Sequence, residues 1–444
     1  MKNHLFFSNK FYCHFNCFRL FWPILIAFIL VNITNCKPKT NETRDATQQP
    51  DIALFDTFAR QIELSLNQGD PSFFNDHFLL DSLISPTISR FSAPHDFQAG
   101  FMAGMKEQIA VGEQIVSAMG MEGYYKLLWV NIDTAAPKNT TGAKALFRMV
   151  NAAGLDYHIF SLQKKQNKDS IIISDFTIVR GGVAFSDLIL RLYLSGLTEH
   201  LDSTIENQMT DFEKQWLQYQ PQIALIEKSL NENKYKPNKK KQQTIALKNL
   251  NDLPQPLRND KLVLLMELSA AQYLGGKQLN ETIVKFNQIF PDDPIVDLVV
   301  LDYYFETNKP SKTQLTAIDN IEAKIGNDPY LNILRATIYT KQNNYTIADS
   351  LLTKAIAQEP DNEEPWWDLI ELRLRQKQFE QTVNLFAPMQ TQFNINPAEF
   401  LLADGYDAFF TSTPYLNWEK EHPIPDSVRQ VLQKPVGTFK LHEQ

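Results

Sequence analysis

Four prolines divide the second half of this 444-residue chain into near-equal lengths. Pro294, Pro329, Pro365 and Pro397 stand 35, 36 and 32 residues apart. Proline is tolerated in the first turn of a helix and disrupts the interior. The period therefore reads as recurring helix starts, each with room for a pair of helices before the next. Glycine points the same way. Eleven of the 16 glycines lie between Gly69 and Gly196, and five follow. Helix interiors disfavour glycine by about 1 kcal/mol, so the expected fold is an α+β first half followed by an all-α helical array.

Residue types recur within the period. Counting 34-residue units from Val263, position 8 is Ala270, 11 is Tyr273, 20 is Thr282, 24 is Phe286 and 32 is Pro294. Counting from Pro329 gives Ala336, Tyr339, Ala348, Leu352, Ala355 and Pro360 at 8, 11, 20, 24, 27 and 32. A unit from Glu363 has Trp366 at 4, Leu369 at 7 and Phe386 at 24, but Arg373 at 11 and Thr382 at 20. The unit between keeps Leu301 and Tyr304. This pattern resembles the tetratricopeptide repeat, in which small residues at 8 and 20 let two helices cross closely and large ones fill the gaps. The resemblance implies an array over residues 263–412 that binds a protein or peptide in a groove lined by the first helix of each pair. Candidate groove residues are Asn332, Arg335, Asp368, Glu371 and Arg375, with ordinary solvated faces as the alternative. Trp366 takes a core position, leaving Trp367 as a candidate partner anchor.

Residues 51–197 carry a different pattern. Asp51–Asn67 and Phe97–Met119 are expected helices. Tyr124–Asp133, Ala145–Asn151, Leu155–Gln163 and Ser170–Val179 are expected strands, the middle two joined across Ala152-Ala153-Gly154. Phe185–Leu197 is an amphipathic helix. Helices followed by an antiparallel meander resemble the cone-shaped nuclear transport factor and ketosteroid isomerase superfold. The segment Gly154–Leu162, the strand after it and the Leu-Ile-Leu-Arg-Leu-Tyr helix are similar to an uncharacterised bacterial module that precedes tetratricopeptide repeats in envelope proteins. A cone can enclose a pocket. Asp156 and His158 share a strand face, with Asp175 on the next strand, so these three are the candidates for acid–base or ligand-binding chemistry. The residues alone favour the other reading, a hydrogen-bonded hairpin pair at the sheet edge or at a protein interface. His77 and His95 read as surface groups.

Residues 198–262 form a helical connector, expected to break at Pro221. Lys234, Lys236, Lys239, Lys240 and Lys241 read as a solvated loop, with a lipid or acidic partner as the alternative. Residues 413–444 read as a cap and tail.

The start of the chain reads as an export signal. Lys2, Lys10 and Arg19 precede the apolar run Leu20–Val31, which is too short to span a bilayer. Ile33 stands three before Cys36, which resembles a bacterial lipoprotein signal over residues 1–35, although Asn35 departs from the usual small residue. The resemblance implies lipidation at Cys36, a flexible tether over 36–50 and residence in the cell envelope, at the outer membrane. The only other cysteines are Cys13 and Cys17, so the folded body is expected to hold no disulfide and no thiolate metal site.

Removing residues 1–35 takes three of the 43 basic residues and leaves all 51 acidic ones. That balance disfavours a nucleic-acid partner. The sequence also has no glycine-rich phosphate loop, HExxH or GxSxG. The expected function is a membrane-anchored, non-enzymatic binding scaffold with no cofactor. The alternative is a ligand or enzymatic pocket in the α+β half.

Overall fold

A computed structural model describes residues 49–134, 141–164, 170–232, 239–402 and 406–424. The expected signal, Cys36, the tether through residue 48, Lys234, Lys236 and the tail from 425 lie outside the described residues. The chain forms two compact units, divided between Tyr303 and Tyr304.

The first unit opens with α1 (Gln49–Asn67). Phe55, Phe58, Ala59, Ile62 and Leu66 recur at helical spacing and are buried on one stripe. Three short steps follow: α2 (Ser72–His77), α3 (Leu80–Ser89) and α4 (His95–Gln108). The expected single helix over 97–119 is two helices. Ile109 is extended, and α5 (Val111–Met119) starts afresh. The break brings Val111, Ile115 and Met119 into the core. It also seats Gly112 against α2, where a Cβ would fall 2.5 Å from Asn75 Oδ1.

Four strands follow as an antiparallel meander in the order β1 (Tyr124–Ile132), β2 (Gly142–Asn151), β3 (Gly154–Lys164) and β4 (Ile171–Ile178). The β2–β3 hairpin closes at Ala152-Ala153-Gly154, as expected: Asn151 pairs with Gly154, which takes a φ of 110°. The helix-facing side carries Tyr125, Phe147, Phe160 and Phe176, with Phe147 and Phe160 4.9 Å apart and Phe74 5.6 Å from Phe160. Aromatic edges and faces therefore fill this core.

After β4 the chain passes a short 3-10 turn into α6 (Phe185–Gly196). The connector then departs from expectation. It breaks at Met209–Thr210, between α7 (Ser203–Gln208) and α8 (Asp211–Glu232), and runs straight through Pro221. Trp216, Ile223 and Ile226, on both sides of the exposed proline, are all buried, so packing outweighs the lost hydrogen bond. The break has its own signal. Glu213 Oε2 accepts from Thr210 N at 2.7 Å, and Glu213 N donates to Thr210 Oγ1 at 3.3 Å, a reciprocal helix start. The same glutamate takes both Arg90 Nη atoms at 2.6 and 2.7 Å. The expected lysine loop is also shorter, because Lys239 already opens α9 (Lys239–Asn251). A one-turn α10 (Gln255–Arg258) leads to the first helix pair, α11 (Lys261–Leu274) and α12 (Gly276–Ile289).

Helix α13 (Ile295–Glu306) carries the chain into the second unit. That unit holds α14 (Ser311–Ile325), α15 (Tyr330–Lys341), α16 (Tyr345–Gln358), α17 (Glu364–Arg375), α18 (Phe379–Val383) and α19 (Phe386–Phe393). Helices α20 (Pro397–Leu402), α21 (Asp407–Phe410) and α22 (Thr413–Glu421) finish it. Phe409 and Tyr415 are buried beside Phe386 and Trp366 in one cluster that closes the end of the unit.

The period is visible in the turns. Asn308, Asn343 and Lys377 are left-handed and stand 35 and 34 residues apart. In each turn the next N–H reaches back five residues: Lys309 to Tyr304 O, Asn344 to Tyr339 O and Gln378 to Arg373 O, all at 2.9 Å. This is one helix-ending motif used three times. The first pair turns differently, on Gly275 and Gly276, and its Tyr273 is 50% exposed rather than filling a gap. The small positions pack as the register predicts. Ala270, Ala336 and Ala348 are at most 1% exposed. Arg373, standing where a tyrosine was expected, reaches Asp349 of α16 at 2.8 and 3.1 Å.

Lys377 holds its left-handed φ of 57° with a Cβ, which strains an L-residue. Lys377→Gly is expected to stabilise the second unit by about 0.5–1 kcal/mol, read as a shift in urea midpoint. Asn343→Gly should gain less, because asparagine tolerates this conformation.

Candidate functional site

Strand β3 brings Asp156 and His158 onto one face, and that face is the core. His158 is 0% exposed and Asp156 is 7% exposed. The Tyr125 hydroxyl is hydrogen-bonded to His158 Nδ1. His158 Nε2 has no hydrogen-bond partner and lies 3.9 Å from Asp156 Oδ2, beyond hydrogen-bond reach. Burial lowers the imidazole to about 3, so it is uncharged at neutral pH. Burial also raises Asp156 to about 6, against the opposing charge of Arg180.

The Asp156 carboxylate accepts from Tyr157 N at 2.7 Å and Arg180 N at 3.1 Å, which holds the turn after β4. Arg180 itself donates to Leu155 O at 2.7 Å and to Asp302 at 2.6 Å. Neither member of the pair is open to a substrate, and the contacts are those of a structural clamp.

Asp175 does not join them. It pairs with Ser161 across the β3–β4 ladder, while His158 pairs with Ile178. Its oxygens accept from Ser186 N at 3.2 Å and Ser186 Oγ at 2.6 Å, so it caps the start of α6 from the neighbouring strand. Burial raises its carboxyl, and the bonds from Ser186 and the adjacent backbone oppose that. His77 stacks on Phe73 at 4.4 Å, and His95 is exposed.

The array candidates divide in two. Asn332 is 3% exposed, and its Nδ2 donates to Gln358 at 3.2 Å, so it ties α15 to α16. Arg335 is held by Asp319 at 2.7 Å and by Glu322. Their hydrogen bonds keep the guanidinium fully charged despite part burial. On α17, Trp367 is half-buried, and its Nε1 donates to Glu363 at 2.6 Å. Glu371 and Arg375 pair one turn apart at the more open end. Asp368 sits between Glu364 and Glu371. Burial first, then those two carboxylates, push its carboxyl well above the usual range, and Arg375 opposes them. Four of the six candidates, Trp367, Asp368, Glu371 and Arg375, thus lie along one helix.

One constellation lies outside all of these candidates. Arg191 on α6 is 1% exposed and donates through Nη2 to Asp260 Oδ2 at 3.4 Å. Asp260 also caps α11, accepting from Leu262 N at 3.0 Å and Val263 N at 3.3 Å. Asp187, one turn before Arg191, is raised to about 6, with burial the main cause. Burial lowers Arg191 to about 10, and the two aspartates oppose that. An aspartate just ahead of an apolar run was a readable cap signal. Its meeting with Arg191, 69 positions away, was not readable.

Comparison with known proteins adds little. No protein-family model and no curated protein matches the chain. A solved structure described as PilW, a widely conserved type IV pilus biogenesis factor, aligns over 47% of this chain and 97% of its own, at 15% identity and a TM-score of 0.29. A likeness this slight bears on neither fold nor function.

Proposed function

We propose that the chain is a non-enzymatic binding scaffold of the bacterial cell envelope, whose helix pairs hold another protein or a peptide. The observation that carries this reading is the thrice-repeated turn at Asn308, Asn343 and Lys377. Helix pairs repeated in one geometry display a row of first helices, a surface suited to a polypeptide. Helix α17 supplies the contact residues in this reading, with Trp367 as the apolar anchor and Asp368, Glu371 and Arg375 around it. The export-like start and Cys36 support a lipid anchor, and the outer membrane is the proposed site. Among the described residues no helix is long and apolar enough to cross a membrane.

Crosslinking with affinity capture from membranes tests the binding reading. The full chain is expected to retain a defined partner that Trp367→Ala together with Arg375→Ala loses. Equal capture by both proteins would contradict the assignment to α17. Cys36→Ala is expected to move the chain from the membrane to the soluble fraction.

A further inference from the structure

Beside the Arg191–Asp260 contact lies a cavity of about 620 Å³. Helices α6 and α8, the turn before α11 and Phe290 line it, all within the first unit. Its polar groups are incompletely matched. Arg191 Nε and Nη1 are buried and have no hydrogen-bond partner. Gln215 Oε1, on the α8 wall, is a buried acceptor with no donor. Asp187 also lines the cavity, one turn from Arg191. Phe212 and Phe290 supply apolar walls.

A buried donor or acceptor with no partner carries an uncompensated desolvation cost. Arg191 and Asp187 stand on α6 and Gln215 on α8, so the lining offers both donors and acceptors. Arg191 calls for an anionic acceptor, whereas Gln215 Oε1 and the Asp187 carboxylate call for a cationic donor. Asp260 and Asp187 both act on Arg191, and Lys261 and Asp211 also line the cavity, so its wall carries both signs; a simple anion would meet the carboxylates, and a simple amine would leave the guanidinium unmatched.

We propose that this cavity binds a small zwitterion of the amino-acid or short-peptide class. Its carboxylate lies against Arg191, its ammonium lies against Asp187 and Gln215, and its side chain lies between Phe212 and Phe290. This site uses none of the α17 contact residues and goes beyond the scaffold reading.

Isothermal titration of the full chain tests it. The probes are the twenty free L-amino acids and the dipeptide Ala-Ala, with N-acetyl-leucine amide, propionate and butylamine as controls. At least one zwitterion is expected to bind one to one, and the three controls are expected to be at least tenfold weaker. Gln215→Leu should weaken binding tenfold or more while leaving the thermal midpoint in place, and Asp187→Asn should weaken binding by as much. Arg191→Lys should abolish it. Three results would overturn the site: no binding by any zwitterion at millimolar concentration, equal binding of the uncharged amide, or full binding by Asp187→Asn and Gln215→Leu.

Discussion

Asp260→Ala is expected to destabilise the first unit by about 4 kcal/mol. Two losses add. Removing one partner of a buried ion pair typically costs 3–5 kcal/mol, because the other charge is left uncompensated. Losing a helix cap costs about 1 kcal/mol more. Arg191 is 1% exposed and hydrogen-bonded to Asp260, so the variant leaves a buried guanidinium without that carboxylate. Asp187 also acts on Arg191 and offsets part of the loss, which holds the sum near the lower end. Asp260→Asn separates the two terms. Asparagine caps about as well as aspartate, so this variant should lose about 3 kcal/mol from charge alone. Hydrogen exchange across α6 and α11 reads the effect directly, since each 1.4 kcal/mol lowers the protection of globally exchanging amides about tenfold. The double variant Arg191→Met with Asp260→Asn should recover most of the stability, because an apolar replacement of a buried pair is often neutral or better. If Asp260→Asn left protection unchanged, the buried pair would not be holding α6 to α11.

Ala348→Leu is expected to destabilise the second unit by about 3 kcal/mol. Ala348 is 0% exposed on α16, and Ala336 on the facing α15 is 1% exposed. Adding three carbons there forces the helices apart or the side chain off its rotamer, at typically 1–3 kcal/mol and occasionally more. The upper end applies because an enlarged crossing displaces a whole helix. Lys354→Leu on the exposed side of the same helix is the control, with an expected change within about 0.5 kcal/mol. The comparison is made by urea unfolding of the full chain, following the transition of the second unit. A neutral Ala348→Leu would mean that small residues do not set the crossing.

The periodic features were legible in the sequence because they are local. Proline spacing announced the helix starts. Alanines 336 and 348 announced the tight crossing, and the Ala152-Ala153-Gly154 turn between two strand-like runs announced the hairpin. What escaped was set by packing. Nothing at Ile109-Ala110 punctuates the sequence, yet the chain breaks there, and the new helix buries Val111, Ile115 and Met119 and sets Gly112 against Asn75. Pro221 looked like a breaker, and buried neighbours on both sides override it. Thr210 and Glu213 did carry a readable start signal that outranks the proline.

The site follows the same division. Strand periodicity placed Asp156 and His158 on one face, but whether that face meets solvent or core depends on the helices of residues 49–119. Asp175, on the neighbouring strand, was offset from His158 by three ladder positions and serves α6 instead. Arg191 and Asp260 each look ordinary in sequence. Only the fold makes them partners.

The central claim is that the first-helix face of the repeats receives a polypeptide. A photoreactive residue placed at position 375, on the open end of α17, tests it most directly in cells expressing the full chain. The matched control is position 354, exposed on α16. The expected result is a discrete protein adduct from position 375 and none from position 354, with the adduct lost on Trp367→Ala. Adducts of equal yield from both positions, or none from position 375, would contradict the claim.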